Sequence, residues 1–133
     1  MIFLDSNVVM YLIGADHPNQ RLCRVTLEEM VGRKEPMVTN VEVLQEILHR
    51  YTAIRRFEFI QPAFDLTYSL TEKIFDITEA DVLGAKEIVL QYNRLSSRDS
   101  VHASQMRRLK IDTVFSFDQG FDVLPHLKRI PKL

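Results

Sequence analysis

The chain runs through alternating rhythms of apolar and polar residues. MIFLD is an unbroken apolar run that ends on a carboxylate, which predicts a short buried strand over residues 1–5. Val8, Val9, Leu12 and Ile13 then recur at helical spacing, with Ser6 or Asn7 as cap and a stop near Gly14. HPNQ reads as a turn. Leu22, Val25, Leu27, Met30 and Val31 predict a second helix to about Gly32. PMVTN predicts a strand at 36–40. VEVLQEILHRY continues as a helix, with Val43, Leu44, Ile47, Leu48 and Tyr51 on its apolar side. A helix or helical hairpin follows from about Arg56 to Leu70, with Pro62 as a boundary or kink. KIFDIT predicts a strand. Thr78 opens TEAD, a capping-box signal, and its helix carries Val82, Ala85, Ile88, Val89 and Tyr92. SSRDSVHASQMRRL predicts a helix capped by Ser96 or Ser97, and IDTVFSFD is the last clear strand.

Strands alternate with helices, and the connections are too long for hairpins. That order predicts an α/β sandwich: a mainly parallel central sheet with helices on both faces. At 133 residues the chain fits one domain, 1–133, of ordinary globular composition, 46% hydrophobic and 26% charged. Its apolar runs fall far short of the roughly 18 residues of a transmembrane helix, so no membrane partner is expected. Asp5 and Asn7 interrupt the first apolar run, which argues against a signal peptide. Cys23 is the sole cysteine, which excludes an internal disulfide and makes the cytoplasm the default location.

A net charge of −1 does not mark a nucleic-acid binder. Local charge is more suggestive. Arg94, Arg98, Arg107, Arg108 and Lys110 face Asp99 alone in their stretch, and Arg50, Arg55 and Arg56 have no acid among them. Such clusters are either solvated helix faces or phosphate contacts around an acidic centre.

Ligands of open α/β sheets bind at the carboxyl ends of the strands. Asp5 ends the first predicted strand and Asp118 ends the last. Asp99 opens the helix before that last strand, and Glu46 sits among apolar residues in VLQEILH. Taken singly, each has a structural explanation: a turn, a cap, a first-turn acid, an exposed helix position. Gathered at one sheet edge they would repel one another, and a divalent cation removes that penalty. Oxygen ligands suit Mg²⁺ or Mn²⁺, as one ion or as two about 4 Å apart. Zinc has no support: the four histidines show no ligand spacing. A hard cation among carboxylates most often handles phosphate. GxGxxG, Walker and GxSxG motifs are absent from the sequence.

In this set of motifs the chain resembles the PIN-domain ribonucleases, and among them the VapC-type toxins of toxin–antitoxin pairs. The resemblance spans nearly the whole chain. It rests on LDSN, VTNVEVLQEILHR, SSRDSVHAS and TVFSFDQGFD in register. It implies a PIN-like three-layer sandwich and a metal-dependent endoribonuclease. Asp5, Glu46, Asp99 and Asp118 would be its catalytic, metal-binding acids. Glu42 and Asp122 are the reserves for Glu46 and Asp118. Ser6, Asn7, Ser116 and Arg98 would contact the substrate. His102, three residues after Asp99, falls at a packing position of the pattern. The resemblance further implies single-stranded or loop RNA as substrate, whether tRNA, rRNA or mRNA, and a small cognate antitoxin covering the acids. A homodimer is also expected. Alternatives are an RNA-processing relative, an inactive interaction module, and, less well matched, a Mg²⁺-dependent phosphatase or a receiver domain. The last two fit poorly: Asn7 stands where a phosphatase of the DxD type has its second acid, and VTN has no phospho-accepting Asp.

Overall fold

The computed structural model describes residues 1–14 and 17–133. Among these are five strands and six α-helices. Strand β1 (Ile2–Leu4) leads into α1 (Ser6–Ile13) and α2 (Pro18–Gly32). Strand β2 (Met37–Asn40) leads into α3 (Val41–Ala53) and α4 (Ile60–Leu70). Strand β3 (Lys73–Phe75) precedes α5 (Glu79–Gln91) and α6 (Ser97–Leu109). Strands β4 (Thr113–Phe115) and β5 (Lys128–Ile130) complete the chain.

The strands form one parallel sheet in the order β3-β2-β1-β4-β5. Helix α1 packs against α2, α3 and α4, whereas α5 packs on α6. Right-handed crossovers put those two groups on opposite faces, which yields the expected three layers. Strand β1, at the centre, is an unbroken apolar run because both of its faces are covered. Phe3, Leu4, Val38, Val114 and Phe115 are buried, and Val8, Val9, Ile47 and Ile88 close over them from the helices. The order turns back on itself at β1, which has β2 on one side and β4 on the other. A crevice at the carboxyl ends of β1 and β4 follows from that topology alone.

Several details depart from expectation. Asp5, rather than Ser6 or Asn7, caps α1: its carboxylate accepts from Ser6 N at 2.8 Å. HPNQ is not a free turn, because His17 caps α2 and Pro18 occupies its first turn, where a missing N–H costs nothing. Pro62 marks a helix boundary, one of its two expected roles. It lies in the first turn of α4, after a 3-10 turn at Phe57–Phe59. Leu48 and Val82 are exposed despite their places in the apolar pattern. Strand β5 follows a 3-10 turn at Gln119–Val123 and is too short, three residues, to carry a period of two. The Thr78–Asp81 capping box forms as predicted, and Ser96 caps α6.

Candidate active site

Strand ends and helix starts converge on the crevice beside β1. Asp5 follows β1 directly and is 2% exposed. A buried carboxylate needs partners, and here it finds four. Ser6 N donates to Oδ1; Ser116 Oγ donates to Oδ2 at 2.6 Å, and Asn7 Nδ2 at 3.4 Å. The fourth partner is electrostatic, the nearby His102. Burial raises the Asp5 pKa, and the neighbouring Glu46 charge adds to the rise, against the pull of His102 and the hydrogen bonds.

Glu46 reaches in from α3. Ser6 Oγ donates to its Oε2 at 2.7 Å, and His102 Nε2 lies 2.7 Å from its Oε1. Burial raises the Glu46 pKa, but hydrogen bonds from His102 and Ser6 and the charge of Arg98 outweigh it, so the net shift is down. Ligand atoms of Asp5, Glu46 and His102 lie within 4.8 Å of one another.

Asp99 sits in the first turn of α6, behind its cap Ser96, and is buried. Its pKa is pushed up to about 9, first by burial, then by a hydrogen bond shared with Asp118 and by the charges of Asp5, Asp118 and Glu46. Asp118 moves the other way. The same hydrogen bond, with Gly120 N and the Arg129 charge, holds it down against partial burial. One proton between two carboxyls is the expected compromise where like charges crowd.

The small polar residues knit the strand ends together. Asn7 donates to Ser116 Oγ at 3.3 Å and accepts from Phe117 N at 3.2 Å; Asp118 N donates to Ser116 Oγ at 3.0 Å. The reserve acids are paired with arginines. Both Asp122 oxygens accept from Arg129, at 2.8 and 2.9 Å, and Glu42 lies 3.8 Å from Arg98 Nε. His102 is packed, as the pattern implies, with its ring centroid 5.1 Å from that of Phe3. Its bond to Glu46 goes beyond packing, and so does its contact with Asn40. In the sequence, only the shared helical face of Asp99 and His102 pointed toward that role.

The acids fit a divalent cation by their chemistry. They are oxygen donors, crowded, and buried in a way that drives two of them toward neutrality. A cation restores their charged forms without repulsion.

Comparison with known proteins agrees with this geometry. A PIN domain family model matches residues 2–127. The chain is 45% identical over 130 residues to Ribonuclease VapC13 of Mycobacterium tuberculosis, covering 98% of this chain and 99% of that one. Its fold is similar to the crystal structure of VapC20 of M. tuberculosis, described as a sarcin-ricin loop cleaving toxin. The TM-score is 0.79 at 18% identity, over 96% of this chain and 98% of that one. It is also similar to a chain of VapBC2 from Rickettsia felis, solved on a promoter DNA fragment, with a TM-score of 0.72 at 20% identity over 97% of each chain. The chain belongs to the PIN-domain family and, within it, to the VapC ribonucleases.

Proposed function

We propose that this VapC-type ribonuclease hydrolyses RNA with Mg²⁺ or Mn²⁺ held by Asp5, Glu46, Asp99 and Asp118. The observation that carries the reading is the gathering of acids at the β1–β4 crevice: Asp5 and Asp99 are buried there, and ligand atoms of Asp5 and Glu46 lie within 4.8 Å of each other. Fixed acids that repel one another at a strand-end crevice are a poor device for stability and a good one for a cation. When bound, that cation supplies charge against phosphate oxygens and acidifies water.

The remaining work falls to the chain. Ser6 and Ser116 fix the carboxylates through their hydroxyls. Asn7 ties the β1 end to the β4 loop. A cavity of about 490 Å³ opens next to Ser6, Asn7 and Glu46 and is bordered by Tyr11, Arg50 and Arg98. One arginine from each of two basic clusters, Arg50 and Arg98, thus flanks the acids, which suits the phosphates of an unpaired RNA segment. The acids lie at the crevice and Arg50 one helical turn beyond Glu46 on α3, so the backbone would pass from one to the other.

The same reading makes the chain the toxin of a pair, inhibited by a small antitoxin that covers the acids, and active in the cytoplasm as a homodimer. Size-exclusion mass of the purified chain checks the dimer, and a monomer at high concentration rejects it. The test of function is cleavage of RNA by the purified chain with Mg²⁺ or Mn²⁺ and with EDTA, beside Asp5→Asn and Asp99→Asn. Cutting that needs the cation and is lost in both variants supports the reading. Cutting that survives EDTA or both substitutions overturns it, and an inactive interaction module would show no cutting and no cation binding.

A further inference from the structure

Glu46 is gripped at both oxygens, by Ser6 on one side and His102 on the other, and the His102 grip can be traced to its origin. Asn40 closes β2 and caps α3: its Oδ1 accepts from Val43 N at 2.9 Å. That bond orients the amide. Its Nδ2 therefore faces His102 Nδ1 at 3.0 Å and Gln105 Oε1 at 2.9 Å. Gln105 is oriented independently, since its Nε2 donates to Asp76 O at 2.8 Å and to Asp81 Oδ2 at 3.2 Å. An amide nitrogen only donates, so His102 Nδ1 accepts and the ring hydrogen lies on Nε2, aimed at Glu46 Oε1.

We propose that Asn40 and His102 form a positioning relay that presents Glu46 to the cation, with His102 a hydrogen-bond donor and not a ligand. The inference rests on the metal reading above. The Nε2 atom, the one that faces Asp5 and Glu46, carries a hydrogen and so offers no lone pair to a cation. The ring is fully buried beside Phe3, so it cannot swing to another partner. The cap of α3 thus determines the direction of every bond up to Glu46, and the carboxylate is set in place before any cation arrives. Outer hydrogen bonds of this kind typically change metal affinity by about 10–100-fold.

The test is Mn²⁺ binding by titration calorimetry on the purified full chain, with thermal melting beside each variant. His102→Gln places an amide nitrogen near the position of Nε2 and keeps a donor for Glu46. His102→Asn reaches only the Nδ1 position, and His102→Leu offers no donor. We expect Asn and Leu to weaken Mn²⁺ binding about 10–100-fold and Gln to stay within about threefold of wild type. Nitrogen NMR of the wild-type ring should report the Nε2–H tautomer. Asn or Leu binding as tightly as wild type overturns the relay, as does an Nδ1–H tautomer. Gln failing as badly as Asn would mean that His102 itself ligates, which also overturns it. If Leu does not fold, the Gln and Asn pair carries the comparison. A wild-type chain that binds no Mn²⁺ overturns the metal reading as well, whereas wild-type binding with unaffected variants overturns the relay alone.

Discussion

Ser116 Oγ donates to Asp5 Oδ2 at 2.6 Å, which joins the end of β4 to the end of β1 across the crevice. The same oxygen accepts from Asp118 N and from Asn7 Nδ2. A hydroxyl has one donor and two acceptor sites, and all are in use. Ser116→Ala should therefore loosen Asp5 and the Asp118 loop together. We expect kcat to fall about 10-fold or more, with a melting loss of roughly 3–12 degrees, as for a lost buried hydrogen bond of about 1–3 kcal/mol. Single-turnover cleavage of RNA beside a thermal melt checks it.

The metal-free chain should become less stable as pH rises. Asp99 has its pKa pushed up to about 9 in the fold, from the usual 3.8. Between those values the folded state holds a proton that the unfolded state has lost, so stability falls with increasing pH. Asp5, also raised, acts in the same sense. Glu46 and Asp81 are lowered, and their contribution disappears only in acid, below the window. Melting in EDTA should thus drop from pH 5 to pH 9, and Asp99→Asn should flatten the slope. A melting temperature that climbs over that range would contradict the account.

Cation binding follows from the same shifts. Ligand carboxyls must lose their protons, so binding releases protons and strengthens with pH. Mg²⁺ or Mn²⁺ should raise the melting temperature more at pH 8 than at pH 6. Calorimetry in buffers of different ionisation enthalpy should show proton release, chiefly from Asp99 and Asp5.

Arg50 offers a test of the RNA path. It borders the cavity next to Ser6 and Glu46. Each phosphate neutralised on a single strand contributes about 0.7 to the slope of log affinity against log salt. Arg50→Ala, measured by RNA binding in the Asp99→Asn background, should flatten that slope by roughly this amount. An unchanged slope would place the RNA elsewhere.

The placement of these acids is largely legible in the sequence, for a physical reason. Asp5, Asp99 and Asp118 stand at element ends, where apolar periodicity stops abruptly and a carboxylate is conspicuous. Ser116 and Asp118 suggest a strand-like alternation in the sequence, but β4 ends at Phe115 and the two are joined instead by the bond from Asp118 N to Ser116 Oγ. Asn40 and His102 were harder. Asn40 looks like an ordinary cap and His102 like a core residue, and each is that as well. Their mutual contact spans 62 positions, and only the stacking of α6 against the sheet reveals it. The start of α2 is ambiguous in the sequence because Pro18 has two meanings, a turn or a first helical position, and neighbouring residues do not decide between them. Strand β5 exists through its pairing with β4, a partnership that three residues cannot announce alone.

Asp118 and Asp122 can be separated by what each one holds. Asp118 shares a hydrogen bond with Asp99 and caps the 3-10 turn through Gly120 N. Asp122 is committed to Arg129, a buried guanidinium that also donates to the carbonyls of Ser116 and Pro131. Asp122→Asn leaves that charge with weaker partners. Because the Asp122 side chain is 51% exposed, solvent screens the loss to about 1 kcal/mol. The variant should melt a few degrees lower and cleave RNA within about threefold of wild type. Asp118→Asn should do the reverse: melt near wild type and lose about 100-fold or more in cleavage, with weaker Mn²⁺ binding. The two substitutions are chemically identical and only four residues apart. A swap of their outcomes would therefore assign the site to Asp122, and would require the Arg129 fork to open when the cation binds.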